Sequence, residues 1–380
     1  MKLQRNTNKA INIGQLLIVG FDGTEMTSRL SSLLTGIQPA GVILFARNIK
    51  SAHQTWRLLR DCQKCVSTPL FKCVDLEGGS VDRFRELLGP APSAAEVFST
   101  HDRKLCRKHG QIIGENCRVL GFNADFAPVL DLAFEVSRSV MSSRAVSANP
   151  QEVTTYASDF LTGLQTAGVI GCGKHYPGLG EGKLDSHHKL PVIRKPLKKM
   201  WTEDLLPYRK LRAQMPMVMV SHAAYPLVTR AHTPASLSEI WITDILRKRI
   251  GYCNLIASDD LEMRAVLSSA SVGESAVEHI RAGGDLCLVC HREDHVAQAH
   301  EELKKAVERE PKFARRVSES VRHVLLFKKK SVKLLPGVPI PSAAKVEKLS
   351  RRLWEFSEQV RFEALARKEK DDESDRRRTS

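Results

Sequence analysis

The sequence predicts a single (β/α)8 TIM barrel followed by a short, charged helical extension. Between residues 15 and 327, eight short apolar runs alternate with amphipathic helical stretches, which is the number of β–α units in such a barrel. The runs are aliphatic or β-branched and lack strict alternation, as expected for parallel strands covered on both faces. Hydrophobic residues make up 42% of the 380 residues, which is enough to bury a large core and excludes global disorder.

The eight apolar runs recur along most of the chain. They cover residues 15–23, 41–48, 69–79, 122–132, 169–178, 215–226, 253–262 and 285–291. Helical stretches between them begin with capping residues or a first-turn proline, as at Asn149-Pro150, and some end on glycine, as at Gly168. A doubly wound sheet also alternates strands with helices, but it rarely needs eight units of this regularity.

The character of the sequence changes after Phe327. Residues 328–342 combine the basic run KKKSVK with the proline-rich segment LLPGVPIPS, and we interpret them as a linker between a 1–327 barrel and a 343–380 extension. The extension has a helical composition, with Leu353, Trp354 and Phe356 near its start, and we expect its aromatic residues to dock it on the barrel. Roughly its last dozen residues are densely charged, and we expect them to be disordered.

The chain carries a net charge of +15. Such an excess fits a nucleic-acid partner, an anionic membrane surface, an acidic substrate or a basic protein of ordinary solubility, because charge bears on association rather than on fold. The N-terminus has no apolar core of a secretory signal, and no stretch reaches the roughly 20 apolar residues of a membrane span. We therefore expect a cytoplasmic monomer with no membrane span.

Nine cysteines are scattered through the chain, several of them inside apolar runs, as in proteins of a reducing compartment. Cys62 and Cys65 form a C-x-x-C pair, and Cys287 to His291 match the C-x-x-C-H pattern of haem attachment. Haem attachment of that type needs an exported chain, and the second match lies in a predicted buried strand. We expect no haem, no metal and no other cofactor.

Polar or ionisable side chains interrupt every apolar run near its end. They are Asp22, Arg47, Asp75 with Glu77, Asp131, Lys174 with His175, Ser221 with His222, Asp259 with Asp260, and His291. In a barrel the C-terminal ends of all eight strands meet at one mouth, where enzymes place their chemistry. A single aspartate is equally consistent with a helix cap, but lysine, arginine and histidine do not cap helix N-termini. The pattern therefore predicts an active site at the mouth.

The segment 173–188 carries several candidate groups. Its glycines do not form a phosphate-binding loop, because Pro177 occupies the first glycine position of that motif. A lysine and a histidine end the strand, a glycine-rich loop follows, and Asp185 and His187 come after it. Side chains two residues apart in an extended segment point to the same side, so Asp185 is placed to orient His187. A solvated polar loop is the alternative interpretation.

Asp259 emerges directly from a predicted buried strand, in the segment IASDDLEM. A carboxylate held rigidly at the mouth is well placed to act as a nucleophile at an anomeric carbon. With a group that gives and takes a proton, it provides the equipment of a retaining glycosidase, although the usual acid is a second carboxylate.

The motifs follow the order VDLEGGSVDRFR, FNADFAPVLDL, SRAVS, GKHYPGLGEGKLDSHHKLP, SHAAYP, PASLS, IASDDLEMRAV and AGGDLCLV. In this order, from about Gly14 to about Val289, the chain closely resembles glycoside hydrolase family 3, and in particular its single-domain bacterial β-N-acetylhexosaminidases. The most specific of these features are K-H-x-P-G-x-G-x-x-x-x-D-S-H and S-D-D-L-x-M.

The resemblance implies roles for eight residues. Asp259 matches the nucleophile that forms the covalent glycosyl-enzyme, His187 matches the general acid/base, and Asp185 matches its partner in a His–Asp dyad. Five further residues match positions that hold the hydroxyls and the N-acetyl group of the terminal sugar: Asp75, Arg83, Arg144, Lys174 and His175.

The sequence departs from the family pattern at Ser80, at Ser142-Ser143 and at Thr229, where the family usually has other residues. None of these positions is the nucleophile or the dyad. They therefore bear on loop packing and leaving-group preference rather than on the reaction.

The activity implied is retaining hydrolysis of terminal non-reducing β-linked N-acetylglucosamine, from muropeptides in peptidoglycan recycling. Chitooligosaccharide hydrolysis and phosphorolysis remain open alternatives. A metal-dependent barrel hydrolase is disfavoured, because such enzymes need His-x-His where this chain has Phe21-Asp22-Gly23. A catalytically inactive barrel that binds nucleic acid is disfavoured too, since aromatic and basic residues do not interleave. We expect a small saccharide partner and no nucleic acid.

Overall fold

The computed structural model describes residues 11–137, 141–182, 190–331 and 337–379. Its strands are β1 (Leu17–Val19), β2 (Gly41–Ile43), β3 (Phe71–Val74), β4 (Leu76–Gly78), β5 (Val81–Asp82), β6 (Ala124–Asp125), β7 (Ile170–Tyr176), β8 (Met217–Val220), β9 (Leu255–Asp260) and β10 (Leu286–Val289). Eight of them form a closed parallel barrel in the order β1-β10-β9-β8-β7-β6-β3-β2. Each barrel strand lies within one apolar run of the sequence, so the predicted (β/α)8 barrel is confirmed.

Helices surround the barrel and flank its mouth. They are α1 (Ser28–Ile37), α2 (Ala52–Lys64), α3 (Arg85–Leu88), α4 (Ala94–Ser99), α5 (Arg103–Leu120), α6 (Pro150–Thr166), α7 (Leu197–Thr202), α8 (Leu206–Leu211), α9 (Pro226–Thr229), α10 (Arg264–Leu267), α11 (Val272–Arg281), α12 (Glu293–Arg309), α13 (Pro311–Lys330) and α14 (Ala343–Thr379), with a π-helical segment at Ile240–Arg249.

Local sequence determines where the long helices begin. The side chains of Thr27, Ser51 and Asp102 each accept a hydrogen bond from a backbone N–H in the first turn of α1, α2 and α5. Asn149 caps α6 in the same way and Pro150 occupies its first turn, as the sequence predicts. Each cap satisfies a backbone donor that the helix leaves free.

A two-stranded antiparallel hairpin, β4 and β5, stands at the mouth directly after β3. Its first strand, β4, lies at the end of the third apolar run, so the sequence pattern does not distinguish β4 from β3. Gly78 and Gly79 turn the chain between the strands with φ values of 83° and 59°, which favour glycine. The hairpin brings Glu77 and Arg83 to the barrel opening.

The N-terminal end of the barrel is closed by Lys328 from α13. Its Nζ lies 2.8 Å from Oε1 of Gln15, which precedes β1, and 5.1 Å from the ring centroid of Phe71 in β3. The helix continues to Lys330, so the first residues of the predicted 328–342 linker are helical. Lys328 is buried there, because it lies on the helix face that packs on the barrel.

The apolar face of α14 packs along α3, α4 and α5. Leu353, Phe356 and Val360 are buried on this face, and the Phe356 ring stacks on His109 with the centroids 5.9 Å apart. The prediction that Trp354 docks with them is wrong: it is 64% exposed, because it lies on the opposite side of the helix.

The last helix continues to Thr379, through residues that the sequence analysis expects to be disordered. Alanine, arginine, lysine and glutamate are good helix formers, so a high density of charge is compatible with a helix here. Within the described parts of the chain, no helix is both long and apolar enough to cross a membrane. All nine cysteines lie in described segments and are free thiols.

Candidate active site

The C-terminal ends of the barrel strands surround a cavity of about 500 Å³. Ligand sites typically measure about 300–1,000 Å³. The family resemblance assigns roles to eight residues, and six of them line this cavity: Asp75, Arg83, Arg144, Lys174, His175 and Asp259. The other two, Asp185 and His187, lie outside the described residues.

Lys174 lies near the end of β7, between two carboxylates. Its Nζ is 2.8 Å from Oδ1 of Asp75 and 2.6 Å from Oε1 of Glu77. Burial alone would lower the pKa of Lys174, but Asp75 and Glu77 raise it above its ordinary value, so the amine stays charged. The Asp75 side chain remains 16% exposed, which leaves it accessible to a ligand.

Arg144 binds the same Glu77 carboxylate through two hydrogen bonds. The distances are 2.8 Å from Nε to Oε2 and 2.8 Å from Nη2 to Oε1, the fork geometry in which a guanidinium matches a carboxylate. Burial would raise the pKa of Glu77, but Lys174 and Arg144 hold it well below its ordinary value. Because Glu77 is only 3% exposed, it supports the two cations instead of meeting a ligand itself.

His175 is oriented by Asp131, which follows β6. The ring Nδ1 lies 2.6 Å from Oδ2 of Asp131, and the same carboxylate accepts the backbone N–H groups of His175 and Leu179 at 3.2 and 2.7 Å. The Nδ1–H group therefore donates a hydrogen bond to Asp131. Nε2 faces Arg144 and lies 3.5 Å from its Nη2.

Asp259 lies in β9, one residue from its end. Its Oδ1 accepts the backbone N–H of Asp260 at 2.8 Å. Burial would raise the pKa of Asp259, but His175, His222 and this N–H bring it below its ordinary value. The lowered pKa keeps the carboxylate charged. It forms no ion pair with any described residue, so it is available to react with a ligand.

His222 supports the end of β9 through a hydrogen bond to its backbone. Its Nε2 lies 2.9 Å from the carbonyl oxygen of Asp260, and its Nδ1 lies 2.6 Å from Oγ of Ser236. Since a carbonyl only accepts, Nε2 carries the proton and Nδ1 accepts from the serine hydroxyl. Burial lowers the pKa of His222, so the ring acts as a neutral support.

Arg83 reaches the cavity from the segment that follows the hairpin. Its guanidinium carbon lies 5.6 Å from the centroid of the Phe45 ring. The Arg83 Nε is buried and has no hydrogen-bond partner in the described part of the chain. A donor without a partner in a cavity wall is available to an oxygen of a ligand.

Comparison with known proteins places this barrel in a family. Residues 10–327 match the family model described as the glycosyl hydrolase family 3 N terminal domain. The chain belongs to glycosyl hydrolase family 3. The resemblance drawn from the sequence motifs is thereby confirmed.

Several family 3 proteins resemble the chain over most of its length. A beta-hexosaminidase of Idiomarina loihiensis is 33% identical over 306 residues, which cover 80% of this chain and 91% of that protein. A beta-hexosaminidase of Thioalkalivibrio sulfidiphilus is 36% identical over 294 residues, 76% of this chain and 84% of that protein. The solved structure of a family 3 β-N-acetylglucosaminidase from Paenibacillus sp. str. FPU-7 matches with a TM-score of 0.85 and 31% identity, over 91% of this chain and 68% of its own.

Three supporting residues of this family 3 site receive no role in the sequence analysis: Glu77, Asp131 and His222. Their position at strand ends is visible in the sequence, but each partner comes from a different strand or loop. Within the described residues, no group of three or more His, Cys, Asp or Glu side chains is arranged to hold a metal ion.

Proposed function

We propose that this family 3 β-N-acetylhexosaminidase is a retaining exo-β-N-acetylglucosaminidase that acts through a covalent intermediate on Asp259. The observation that carries the proposal is the placement of Asp259, charged and fixed near the end of β9 on the wall of a sugar-sized cavity. Relatives named beta-hexosaminidase and β-N-acetylglucosaminidase support the same activity.

We assign the remaining polar groups of the cavity to the terminal sugar. Asp75 accepts hydrogen bonds from sugar hydroxyls, while Lys174 and Arg144 donate to hydroxyl and carbonyl oxygens. The carboxylates of Asp75 and Glu77 balance the charges of Lys174 and Arg144 at contact distance. This balance favours a neutral polar ligand, such as an N-acetylated sugar ring, over a free anion.

In the proposed reaction Asp259 attacks the anomeric carbon while the glycosidic oxygen receives a proton and departs. Water then attacks the same carbon, the bond to Asp259 breaks, and the water proton returns to the acid/base group. We propose His187, oriented by Asp185, for that role on the basis of the sequence motif alone. The lowered pKa of Asp259 supports its role, because the attacking carboxylate must be ionised.

The stereochemistry of the product tests the proposal. With an aryl N-acetyl-β-D-glucosaminide, proton NMR should show the β-anomer of N-acetylglucosamine forming first. Asp259→Asn keeps the side-chain volume and removes the charge, so kcat should fall about 10³-fold or more. Asp244→Asn, in an exposed ion pair with Lys248, is the matched control and should keep its activity. Initial release of the α-anomer, or normal turnover by Asp259→Asn, contradicts the proposal.

The leaving group separates the nucleophile from the proton donor. A glycoside with an excellent leaving group needs no protonation, so it should restore activity to His187→Ala far more than to Asp259→Ala. The measurement is kcat/KM over a series of aryl glycosides with decreasing leaving-group pKa. Equal rescue of the two variants argues against His187 as the acid.

For the natural substrate we propose muropeptides released from peptidoglycan, with breakdown in the cytoplasm. Chitooligosaccharides are the alternative. Product analysis on an anhydro-muropeptide and on chitobiose, each with and without phosphate, compares the two substrates and the two acceptors. Faster cleavage of chitobiose contradicts the muropeptide assignment, and formation of a sugar 1-phosphate identifies phosphorolysis.

A further inference from the structure

One side of the cavity opening carries a cluster that the proposed reaction does not use. Phe45 and Arg47 follow β2 and His291 follows β10, and we call these three residues the cationic rim. The His291 ring stacks on Phe45 with centroids 5.5 Å apart and planes 24° from parallel. The Arg47 guanidinium carbon lies 4.7 Å from the centroid of the same ring. Phe45 thus holds these two basic groups together at the edge of the opening, and Arg83 lies near the same ring.

His291 is fixed in one orientation. Its Nε2 lies 3.1 Å from Oδ2 of Asp260, whose other oxygen accepts the backbone N–H groups of Glu262 and Cys290 at 3.1 and 3.3 Å. Arg47 donates to the carbonyl oxygen of Cys290 at 2.7 Å, which holds the chain next to His291, and its Nε pairs with the exposed Asp22 at 2.9 Å. The His291 side chain nevertheless remains 50% exposed.

The imidazole of His291 has an unused donor when it is protonated. Nε2 is committed to Asp260, and Nδ1 has no partner in the described part of the chain. The hydrogen bond to Asp260 raises the pKa of His291, Glu262 adds to this increase, and burial and Arg47 oppose it. In its protonated form, this fixed ring has a free N–H that is a suitable partner for an anionic oxygen.

We infer that His291 is a specificity-determining residue that binds a carboxylate on the leaving group of the substrate. The inference rests on the proposed glycosidase function. Lys174 and Glu77, each 3% exposed, close the deep end of the cavity, so a sugar bound there directs the rest of the substrate toward the opening. His291 stands at that opening, just after β10, which is the strand next to the one that carries Asp259.

The ligand class is therefore a saccharide that carries a carboxylate on the unit beyond the scissile bond. A neutral oligosaccharide has no group to pair with the cationic rim, and it leaves the charge of His291 with Asp260 alone. The terminal sugar itself need not be charged, since Lys174 and Arg144 are already paired with carboxylates.

A matched pair of substrates tests the inference. Both are aryl N-acetyl-β-D-glucosaminides with the same leaving-group pKa, and one carries a carboxylate on the ring where the other carries a neutral substituent. The wild-type protein should prefer the carboxylated substrate by about fivefold in kcat/KM, the scale of one charged contact at a half-exposed site.

Two variants test whether this preference comes from His291. His291→Gln removes the charge, so the ratio of kcat/KM for the two substrates should fall to about one. Arg292→Gln removes a neighbouring charge that is exposed and paired with Asp294, and it should keep the preference. A ratio that is unchanged in His291→Gln overturns the inference. A ratio lost in both variants also overturns it, because the effect then comes from the overall charge.

A binding measurement separates this inference from the proposed function. If the wild-type protein cleaves neither glycoside, the proposed function fails. The carboxylated phenol is then titrated into the wild-type protein with N-acetylglucosamine present, and the ring ¹⁵N–¹H NMR signals of His291 are followed. A saturable shift that the neutral phenol does not produce supports the carboxylate contact. The absence of such a shift overturns it.

Discussion

Lys328 gives the sharpest prediction for stability. It is buried at the N-terminal end of the barrel, where its Nζ lies 2.8 Å from Oε1 of Gln15 and 3.4 Å from Oγ1 of Thr68. Burial lowers the pKa of Lys328 from 10.5 to about 7. Lys328→Met keeps a long, flexible side chain in this position and removes the buried amine.

The lowered pKa sets both the sign and the size of the effect. The unfolded chain keeps the Lys328 proton up to a pH of 10.5 and the folded chain loses it near pH 7, so wild-type stability rises with pH across this window. At pH 7 the buried amine costs about 4 kcal/mol, and at pH 9.5 about 1 kcal/mol. The stability advantage of Lys328→Met should therefore shrink by about 3 kcal/mol between the two pH values. The hydrogen bond to Gln15 offsets about 1 kcal/mol throughout.

Urea unfolding of the wild-type protein and the variant at pH 7 and pH 9.5 measures this difference. Lys329→Met, at the adjacent exposed position, is the matched control and should change the free energy of unfolding little at either pH. A difference between Lys328→Met and the wild-type protein that stays constant over this range refutes the reasoning. It would mean that the Lys328 proton is not released on folding near neutral pH.

Four other substitutions have defined outcomes. Asp131→Asn should reduce kcat/KM about tenfold or more in steady-state assays, because His175 loses the carboxylate that orients it. Glu77→Gln should lower the free energy of urea unfolding by about 3 kcal/mol at pH 7, because buried cations lose a partner. Since the pKa of Glu77 lies below its ordinary 4.5, this loss should diminish as the pH falls below that value. Phe356→Ala should destabilise the protein by about 3 kcal/mol in thermal unfolding, and exposed Trp354→Ala by less than about 1 kcal/mol.

Hydrophobic patterning suffices for the barrel because each strand is covered on both faces and gives an apolar run. The fourth run shows where this signal ends. It covers residues 122–132, yet the strand within it is only Ala124–Asp125. Phe126, Val129 and Leu130 are buried outside the strand, as the chain passes from the barrel to the mouth. A hydrophobic run therefore indicates which residues are buried, but it does not indicate which backbone groups form hydrogen bonds between strands.

The basic run after Phe327 shows that a charged composition can also hide a buried residue. Three consecutive lysines indicate a solvated segment, but a helix rotates by about 100° per residue and separates them. Lys328 continues the buried stripe of Val321 and Val324, at spacings of three and four residues, while Lys329 faces solvent. The helical spacing therefore indicates that Lys328 is buried, although the composition of the run does not.

At the site, the sequence identifies groups but not their partners. Lys174 and His175 are neighbours in the chain, yet Lys174 pairs with Asp75 and His175 with Asp131, from segments that follow two different strands. A closed barrel brings the ends of all its strands to one opening, whatever their separation in the sequence. Which carboxylate meets which cation depends on strand register and loop conformation, and neither leaves a periodic trace in the sequence.

These pairings also change the meaning of the net charge of +15. Inside the cavity, Lys174 and Arg144 are matched by carboxylates at contact distance, so these two cations leave no excess positive charge beside the terminal sugar. At the cavity opening, His291 and Arg47 also have carboxylate partners, Asp260 and Asp22, but both basic side chains remain partly exposed beside the Phe45 ring. Positive charge can therefore select between substrates only through the part of the substrate that extends beyond the cavity. Total charge bears on encounter, and local pairing determines which end of the substrate is recognised.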